Sequence, residues 1–111
     1  MATFTPQTLA FVQLSNSKSD ITSVPGASKK HLAHTILLHN TNSSAEDVEL
    51  FYDDGTNEYQ ILNQQVEADE TVNVDFGGEG VVIEADGKLT GNTTTTDKVT
   101  CWVNGTERDD S

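Results

Sequence analysis

The fold is decided by residues 47–62, whose sequence is DVELFYDDGTNEYQIL. Its first part alternates in polarity, a pattern typical of a strand with one buried and one wet face. The side chains expected on the buried face are Val48, Leu50 and Tyr52. Residues 53–57 follow with Asp, Gly and Asn, which tolerate turn backbone, and residues 58–62 return as a partner strand. The stretch therefore predicts a β-hairpin.

Short apolar runs separated by polar turns predict strands along the rest of the chain. These runs are residues 9–14, 21–24, 31–40, 71–76, 81–83 and 98–104. The pair 71–76 and 81–83, joined by a glycine-rich turn, predicts a second hairpin. The run 31–40 has no plainly polar face, which favours a strand central to a sheet, with Leu32, Ile36 and Leu38 on one side.

The length and the apolar pattern together favour one β domain. A chain of 111 residues has room for a single core, and no apolar period near 3.6 residues is sustained, so helices are not expected. About eight short strands favour a single-domain antiparallel β-sandwich of immunoglobulin-like or jelly-roll type. We expect residues 1–8 to form an N-terminal arm ordered only by a neighbour, residues 9–105 the sandwich and residues 106–111 a free acidic tail.

The charge is distributed unevenly along the chain, whose net charge is −12. Residues 46–111 hold 17 of the 18 acidic side chains, whereas residues 1–45 carry only Asp20 against three lysines. The division suggests a neutral to basic start that lies against a partner and an acidic remainder that stays in water. The alternative is that acidity only keeps a small protein soluble. Nucleic acid and anionic membranes would repel such a chain, so neither is an expected partner.

The single cysteine, Cys101, cannot form a disulfide within the chain, and the start lacks the charged and apolar segments of a signal peptide. We therefore expect assembly in a reducing cytoplasm. Cys101 alternates with Thr100 and Trp102 in the last predicted strand, which places the thiol inward, where it is inert, and the indole outward. No catalytic nucleophile is expected here.

No cofactor, metal or catalytic group is expected elsewhere in the chain either. His31 and His39 share a side of one predicted strand but are about 26 Å apart at a strand's rise per residue, so within one chain they cannot share a metal. A metal held between subunits remains the alternative. Residues 53–58 lack the spacing of a calcium loop, and the carboxylates offer no distinguishable pair for a glycosidase. The sequence therefore predicts a protein that is not an enzyme.

Several turn and strand motifs follow one another in the chain. They are Asp20-Ile21-Thr22-Ser23-Val24-Pro25-Gly26, then His39-Asn40-Thr41-Asn42-Ser43-Ser44-Ala45 and Val48-Glu49-Leu50-Phe51-Tyr52. These motifs resemble those of small β-sandwich structural proteins of tailed bacteriophages. Residues 66–71, 87–91 and 99–103 continue the resemblance, which spans residues 20–104. It implies a protein that coats a capsid, lines a neck or builds a tail or fibre, often as a symmetric oligomer.

From the resemblance and the charge distribution, the leading hypothesis is a capsid decoration or cement protein. It would be made in the host cytoplasm and would bind the major capsid protein on the outside of the phage head, with a homotrimer favoured. A neck, tail or fibre-base subunit is the first alternative. A carbohydrate-binding β-sandwich module, in which Trp102 and Tyr52 or Tyr59 stack on sugars, is the second.

Nine side chains are the candidate partner-binding residues. We expect Phe4, Pro6, Leu9 and Phe11 to contact the shell, together with Lys18, Lys29 and Lys30, whose charges would meet acidic capsid loops. Phe51 and Trp102 point outward in their predicted strands and would contact other subunits. The alternative for these two aromatic side chains is that loops of the same sandwich cover them.

Overall fold

The computed structural model describes residues 2–111, in which nine strands form two antiparallel sheets. The strands are β1 (Thr3–Gln13), β2 (Ser19–Asp20), β3 (Lys29–Asn40), β4 (Glu46–Asp53), β5 (Glu58–Val66), β6 (Thr71–Asp75), β7 (Val81–Ile83), β8 (Lys88–Asn92) and β9 (Val99–Asp109). The first sheet has the order β1-β9-β3-β6, with β7 also paired to β3, and the second has the order β2-β8-β4-β5. No helix long and apolar enough to cross a membrane occurs in this range.

The core lies between the two sheets and confirms the predicted β-sandwich. Both sheets contribute side chains from their inner faces, because alternate residues of a strand point to opposite sides. The fully buried apolar side chains of the core are Ala33, Ile36, Leu38, Val48, Leu50, Val66, Ile83, Leu89, Val99, Cys101 and Val103. Leu14 and Ile21, from the segments that follow β1 and β2, close the same cluster.

The hairpin predicted from residues 47–62 is confirmed. β4 and β5 pair antiparallel, with Tyr52 opposite Tyr59 and Asp53 opposite Glu58. The connecting turn is held by the Asp54 carboxylate, which accepts hydrogen bonds from the backbone N–H groups of Thr56 and Asn57. These bonds hold the pKa of Asp54 below its usual value.

β3 is the central strand of the first sheet, as its sequence predicts, because β9 pairs along one side of it and β6 and β7 along the other. The second predicted hairpin is wrong, since β6 and β7 do not pair with each other. They follow one another along the same edge of β3 and are separated by residues 76–80. At Gly80 the loop passes against the carbonyl group of Ala33, so closely that no Cβ would fit.

The expected arm and tail are two paired strands, which corrects the prediction of free ends. Residues 3–8 belong to β1 and pair with residues 104–109 of β9. Only Asp110 and Ser111 follow β9, and the Asp110 N–H donates to the carbonyl of Ser28. The prediction failed because these segments have little apolar content, whereas their order comes from backbone pairing. Met1, also assigned to the arm, lies outside the described residues.

Two further details differ from the sequence expectations. Residues 21–24 lie outside the strands, since β2 is confined to Ser19–Asp20. In β3, a bulge at His34 places an extra residue between Ala33 and Thr35. The alternation therefore changes sides, so Ile36 and Leu38 face the core together with Ala33, and Leu32 points to the opposite side.

Candidate functional site

The candidate surface is the outer face of the first sheet, the side turned away from the core. We call it the outer face and define it by strand register. Its side chains are Phe4, Pro6, Thr8, Phe11 and Gln13 of β1, Thr100, Trp102, Asn104, Thr106 and Arg108 of β9, Lys30, Leu32, Thr35, Leu37 and His39 of β3, Thr71, Asn73 and Asp75 of β6, and Val82 of β7. Asp75 contributes the one carboxylate of this set, at the edge of the sheet.

An aromatic pair lies on the outer face. Phe11 and Trp102 are opposite each other in the register, with ring centroids 5.1 Å apart and an interplanar angle of 69°. This edge-to-face arrangement is favourable for two aromatic rings. Phe11 is 59% exposed and Trp102 38% exposed. The prediction that Trp102 points outward is confirmed. The ring that packs against it, Phe11, is also exposed.

Uncharged polar side chains surround the pair and are hydrogen-bonded across the strands. Trp102 Nε1 donates to Thr8 Oγ1 at 3.2 Å, and Gln13 Nε2 donates to Thr100 Oγ1 at 2.9 Å. On the other side, His39 Nδ1 and Thr71 Oγ1 are 2.8 Å apart. These cross-strand bonds reduce the freedom of the side chains before any partner binds.

Two cations, Lys30 and Arg108, lie opposite each other at one end of the outer face, and each is paired with a carboxylate, Glu84 and Asp110 respectively. Arg108 lies over the ring of Phe4, with 5.8 Å between the guanidinium carbon and the ring centroid. Phe4 is 57% exposed, and Pro6 is exposed one pleat further on, opposite Thr106. Phe4, Pro6 and Phe11, three of the candidate contact residues, therefore lie in one strand and on one face.

Leu9 departs from that group. A bulge between Thr8 and Ala10 leaves it without a direct partner in β9, and its side chain packs against the core. The sequence predicts a shell contact by Leu9 because it begins the strand that follows the expected arm. The bulge turns the side chain inward, because one extra residue changes the alternation of the strand.

The three candidate lysines are each paired with a carboxylate of their own chain. Lys18 forms an ion pair with Glu58, Lys29 Nζ is 3.9 Å from Glu107, and Lys30 Nζ is 3.4 Å from Glu84. The Lys18 ammonium also lies 4.5 Å from the ring centroid of Phe51. The pair with Lys18 lowers the pKa of Glu58.

Phe51 and Trp102 lie on different sheets and do not form one surface. Phe51 is half-buried and has Thr90 and Gln60 as neighbours in the second sheet. Lys18 covers part of its ring. The alternative that the same sandwich covers the outward aromatic side chains therefore holds in part for Phe51.

The outward side of the second sheet is acidic, in contrast to the outer face of the first. Register and alternation place five carboxylates there, with Lys88 as a cation among them. These are Asp20, Asp47, Glu49, Asp53 and Glu58. Lys88 pairs with Asp20 at 2.9 Å, which raises the pKa of Lys88. The outward sides of the two sheets thus differ in charge. The difference does not follow the division of the sequence at residue 46, because β6, β7 and β9 of the first sheet belong to the acidic part.

The buried titratable groups are structural. Burial raises the pKa of the Cys101 thiol to about 12, in line with an inert residue. The buried carboxylate of Glu46, which sequence reasoning missed, accepts hydrogen bonds from Asn42, Thr93 and the backbone of Thr95. Burial alone would raise the pKa of Glu46, but these bonds outweigh it, and the pKa is lowered.

The histidines are engaged separately. His31 Nε2 is 3.2 Å from a carboxylate oxygen of Glu107, and His34 Nε2 is 3.1 Å from Thr106 Oγ1. Within residues 2–111, no three His, Cys, Asp or Glu side chains are grouped to hold a metal ion, and no cavity is found.

The aromatic residues considered for sugar stacking are not brought together. Tyr52 packs against the core, and its hydroxyl accepts a hydrogen bond from the Glu84 N–H. Tyr59 is 53% exposed but belongs to the second sheet, whereas Trp102 belongs to the first. The exposed aromatic ring that lies next to Trp102 is that of Phe11.

No protein-family model matches the chain, and no curated protein matches it. Among solved structures, it is similar to a pentameric capsid protein isolated from metagenomic phage sequences, with 16% identity, a TM-score of 0.38, and coverage of 92% of this chain and 59% of that one. A second structure of a pentameric capsid protein from such sequences also gives 16% identity and a TM-score of 0.38, covering 92% of this chain and 62% of that one.

A further similarity is to CBM22-1 and GH10 modules of a Clostridium thermocellum endo-1,4-beta-D-xylanase, complexed with xylohexaose. Identity is 15%, the TM-score is 0.41, and 99% of this chain and 25% of that chain are covered. The chain thus spans about three fifths of the capsid proteins' length and a quarter of the xylanase chain. These similarities concern the β-sandwich fold alone.

Proposed function

We propose that the protein is a non-enzymatic structural subunit of a virion, a decoration or cement protein that binds the outside of a phage head and stabilises the shell. Its partner is the major capsid protein, and the subunit attaches as a homotrimer. The contrast between the two sheets supports this proposal. The outer face has Asp75 as its carboxylate, whereas the outward side of the second sheet has five.

Such a division suits a subunit with one attached side and one free side. A face with few ionised side chains loses little hydration free energy when it is covered, because few charges must leave water. An acidic opposite face keeps particles apart by like-charge repulsion. A small subunit that bridges neighbours adds its binding free energy to the stability of the assembled shell.

A neck, tail or fibre-base subunit is the alternative within the virion. The same two-faced body would then close into a single ring, with contacts between like subunits. Copy number separates the two roles, because a decoration protein covers the head, whereas a ring needs about a dozen subunits or fewer.

A carbohydrate-binding module is the candidate from a different class. The observation that favours it is the uncharged hydrogen-bonding set around Trp102, formed by Thr8, Gln13 and Thr100. Exposed indole rings with neighbouring hydroxyl and amide groups are a suitable surface for sugars. The edge-to-face angle of 69° to Phe11 counts against it, because two rings at that angle cannot both stack on one flat sugar chain.

The experiment that tests the proposal is the copy number of this chain in purified phage particles, measured by quantitative mass spectrometry against the major capsid protein. We expect a ratio near one to one, or near one per few capsid subunits. About a dozen copies per particle would assign the protein to the neck or tail. Absence from particles, combined with binding on a glycan array, would support the carbohydrate-binding module.

A further inference from the structure

We infer that the shell-binding surface is the outer face, with Phe11 and Trp102 at its contact centre, and that attachment depends on apolar and hydrogen-bonding contacts rather than on charge. The inference rests on the proposed function and deepens it by naming the surface. Its occupant is the outer surface of the major capsid protein, at a site that is itself uncharged and apolar at its centre.

The state of the lysines argues against attachment by charge. Lys18, Lys29 and Lys30 already have carboxylate partners within the chain. An acidic capsid loop would have to replace those partners, and exchanging one solvent-exposed ion pair for another adds little to affinity. Because Lys18 belongs to the second sheet's side with Glu58, the three lysines also do not share one face.

The aromatic pair is suited to be the contact centre. Phe11 and Trp102 belong to adjacent strands and support each other edge to face, and Leu37 continues the row on the other side of Trp102. Tryptophan at the centre of an interface, within a ring of polar residues, is the usual composition of a binding hot spot. Here Thr8, Thr100 and Gln13 supply part of that ring.

The size of the outer face fits one protein partner. Four paired strands cover about 19 Å, and ten residues of strand extend about 33 Å, which gives about 600 Å². A specific interface buries about 800 Å² on each partner. Because side chains project from the sheet, the accessible area of the outer face is larger than that of the flat rectangle and comes close to this value. A small ligand would cover only part of it.

The two outward sides also differ in the free energy that a large partner must spend to remove water from charged groups. The outward side of the second sheet presents Asp47, Glu49 and Asp53 together, so covering it would strip water from several carboxylates. The outer face has its carboxylate, Asp75, at the edge strand β6, and its two cations, Lys30 and Arg108, opposite each other at one end. A flat, uncharged protein surface is therefore the occupant that this face accommodates at the lowest desolvation cost.

The experiment measures binding of the full chain to empty shells of the phage that encodes it, by co-sedimentation. Trp102→Thr and Phe11→Thr remove the two rings, and Tyr59→Thr is the matched control, since Tyr59 is also an exposed aromatic strand residue but lies in the second sheet. We expect each outer-face variant to weaken binding about tenfold or more, and the control to leave it unchanged. Thermal unfolding of every variant checks that the fold is intact.

Salt provides the second readout. Raising the salt concentration from about 0.05 M to about 0.5 M shortens the screening length several-fold, yet we expect shell affinity to change less than about twofold. Unchanged shell binding by Trp102→Thr, or a steep loss of affinity in salt, would overturn the inference while leaving the decoration role intact.

Two other occupants would also give distinct results. If Trp102→Thr abolished self-association in sedimentation but not shell binding, the outer face would belong to a second copy of the chain and the inference would be wrong. If the unaltered chain bound no shells at all and bound glycans instead, the proposed function itself would fail.

Discussion

Gly105 of β9 lies against the backbone carbonyl of Leu32 in β3, with no space for a Cβ between them. The Leu9 side chain approaches from the other neighbouring strand, and its Cδ1 would be 2.7 Å from that Cβ. Both neighbours of β9 have their bulges at this level, at Leu9 and His34. Glycine is therefore the residue that allows three strands to remain paired where two of them are irregular.

Gly105→Ala should destabilise the protein by roughly 1–3 kcal/mol, because the added methyl group must displace backbone rather than a flexible side chain. Chemical denaturation monitored by Trp102 fluorescence would measure the loss. Asn104→Ala, at the adjacent exposed position, is the control and should change stability by less than about 0.5 kcal/mol. Equal stabilities for the two variants would contradict the packing described here.

Glu46→Gln should reduce stability and flatten its dependence on pH in the acidic range. The folded-state pKa of Glu46 is lowered from its ordinary value of 4.5. The ionised carboxylate therefore stabilises the fold fully at pH values above the ordinary pKa of 4.5. This stabilisation is lost as the pH falls through the lower pKa of the folded protein. Denaturation curves between about pH 7 and pH 3 measure this. Glu79→Gln, at an exposed loop position, should retain the slope of the unaltered protein.

Cys101 should resist alkylation by iodoacetamide in the folded protein. Burial raises its thiol pKa to about 12, so both access and the thiolate fraction are small at neutral pH. In denaturant the thiol should react at the rate of a free cysteine. Mass spectrometry over time gives both rates. Rapid labelling of the native protein would show that the inner side of β9 is not buried.

Deleting residues 2–8 should lower the free energy of unfolding by roughly 2–4 kcal/mol, since it removes half of β1 and several backbone hydrogen bonds to β9. Amide hydrogen exchange should also increase in residues 104–109, which would lose a neighbouring strand. Deletion of Ser111 is the control and should have little effect. A free arm, by contrast, could be removed without any change in stability.

Lys18→Gln should move the pKa of Glu58 back towards its ordinary value, because the pair with Lys18 is the largest cause of its lowering. Titration followed by NMR of the Glu58 carboxyl measures the shift. Stability should change little, as for other solvent-exposed ion pairs. Lys98→Gln, at an exposed position before β9, should leave the pKa of Glu58 unchanged.

Local patterns predicted what depends on local structure. The hairpin of β4 and β5 follows from alternation and from turn residues a few positions apart, and the inward thiol of Cys101 follows from alternation alone. The paired ends were missed, because residues 3–8 and 104–109 are polar and each is ordered by a strand nearly the whole chain away. The sequence contains no local signal for that pairing.

The candidate site was predictable only where it depends on local alternation and not on the pairing of distant strands. Trp102 was expected to point outward, yet its pairing with Phe11 depends on the register between β1 and β9. The bulges at Leu9 and His34 leave no mark in the polarity pattern, so the sequence predicts a shell contact by Leu9, whose side chain packs against the core. The engagement of the lysines with Glu58, Glu107 and Glu84 required the arrangement of strands from distant parts of the chain.

The position of β9 between β1 and β3 has a consequence for folding. β9 pairs with both β1 and β3 but is synthesised after them. The edges of β1 and β3 that face β9 therefore stay unpaired until residues 99–109 are available. Pairing over such separations is slow, because a long loop must close before any contact forms. Meanwhile the apolar side of β3 is an aggregation hazard. The yield of soluble subunits should therefore depend more on temperature during synthesis than on the stability of the finished protein.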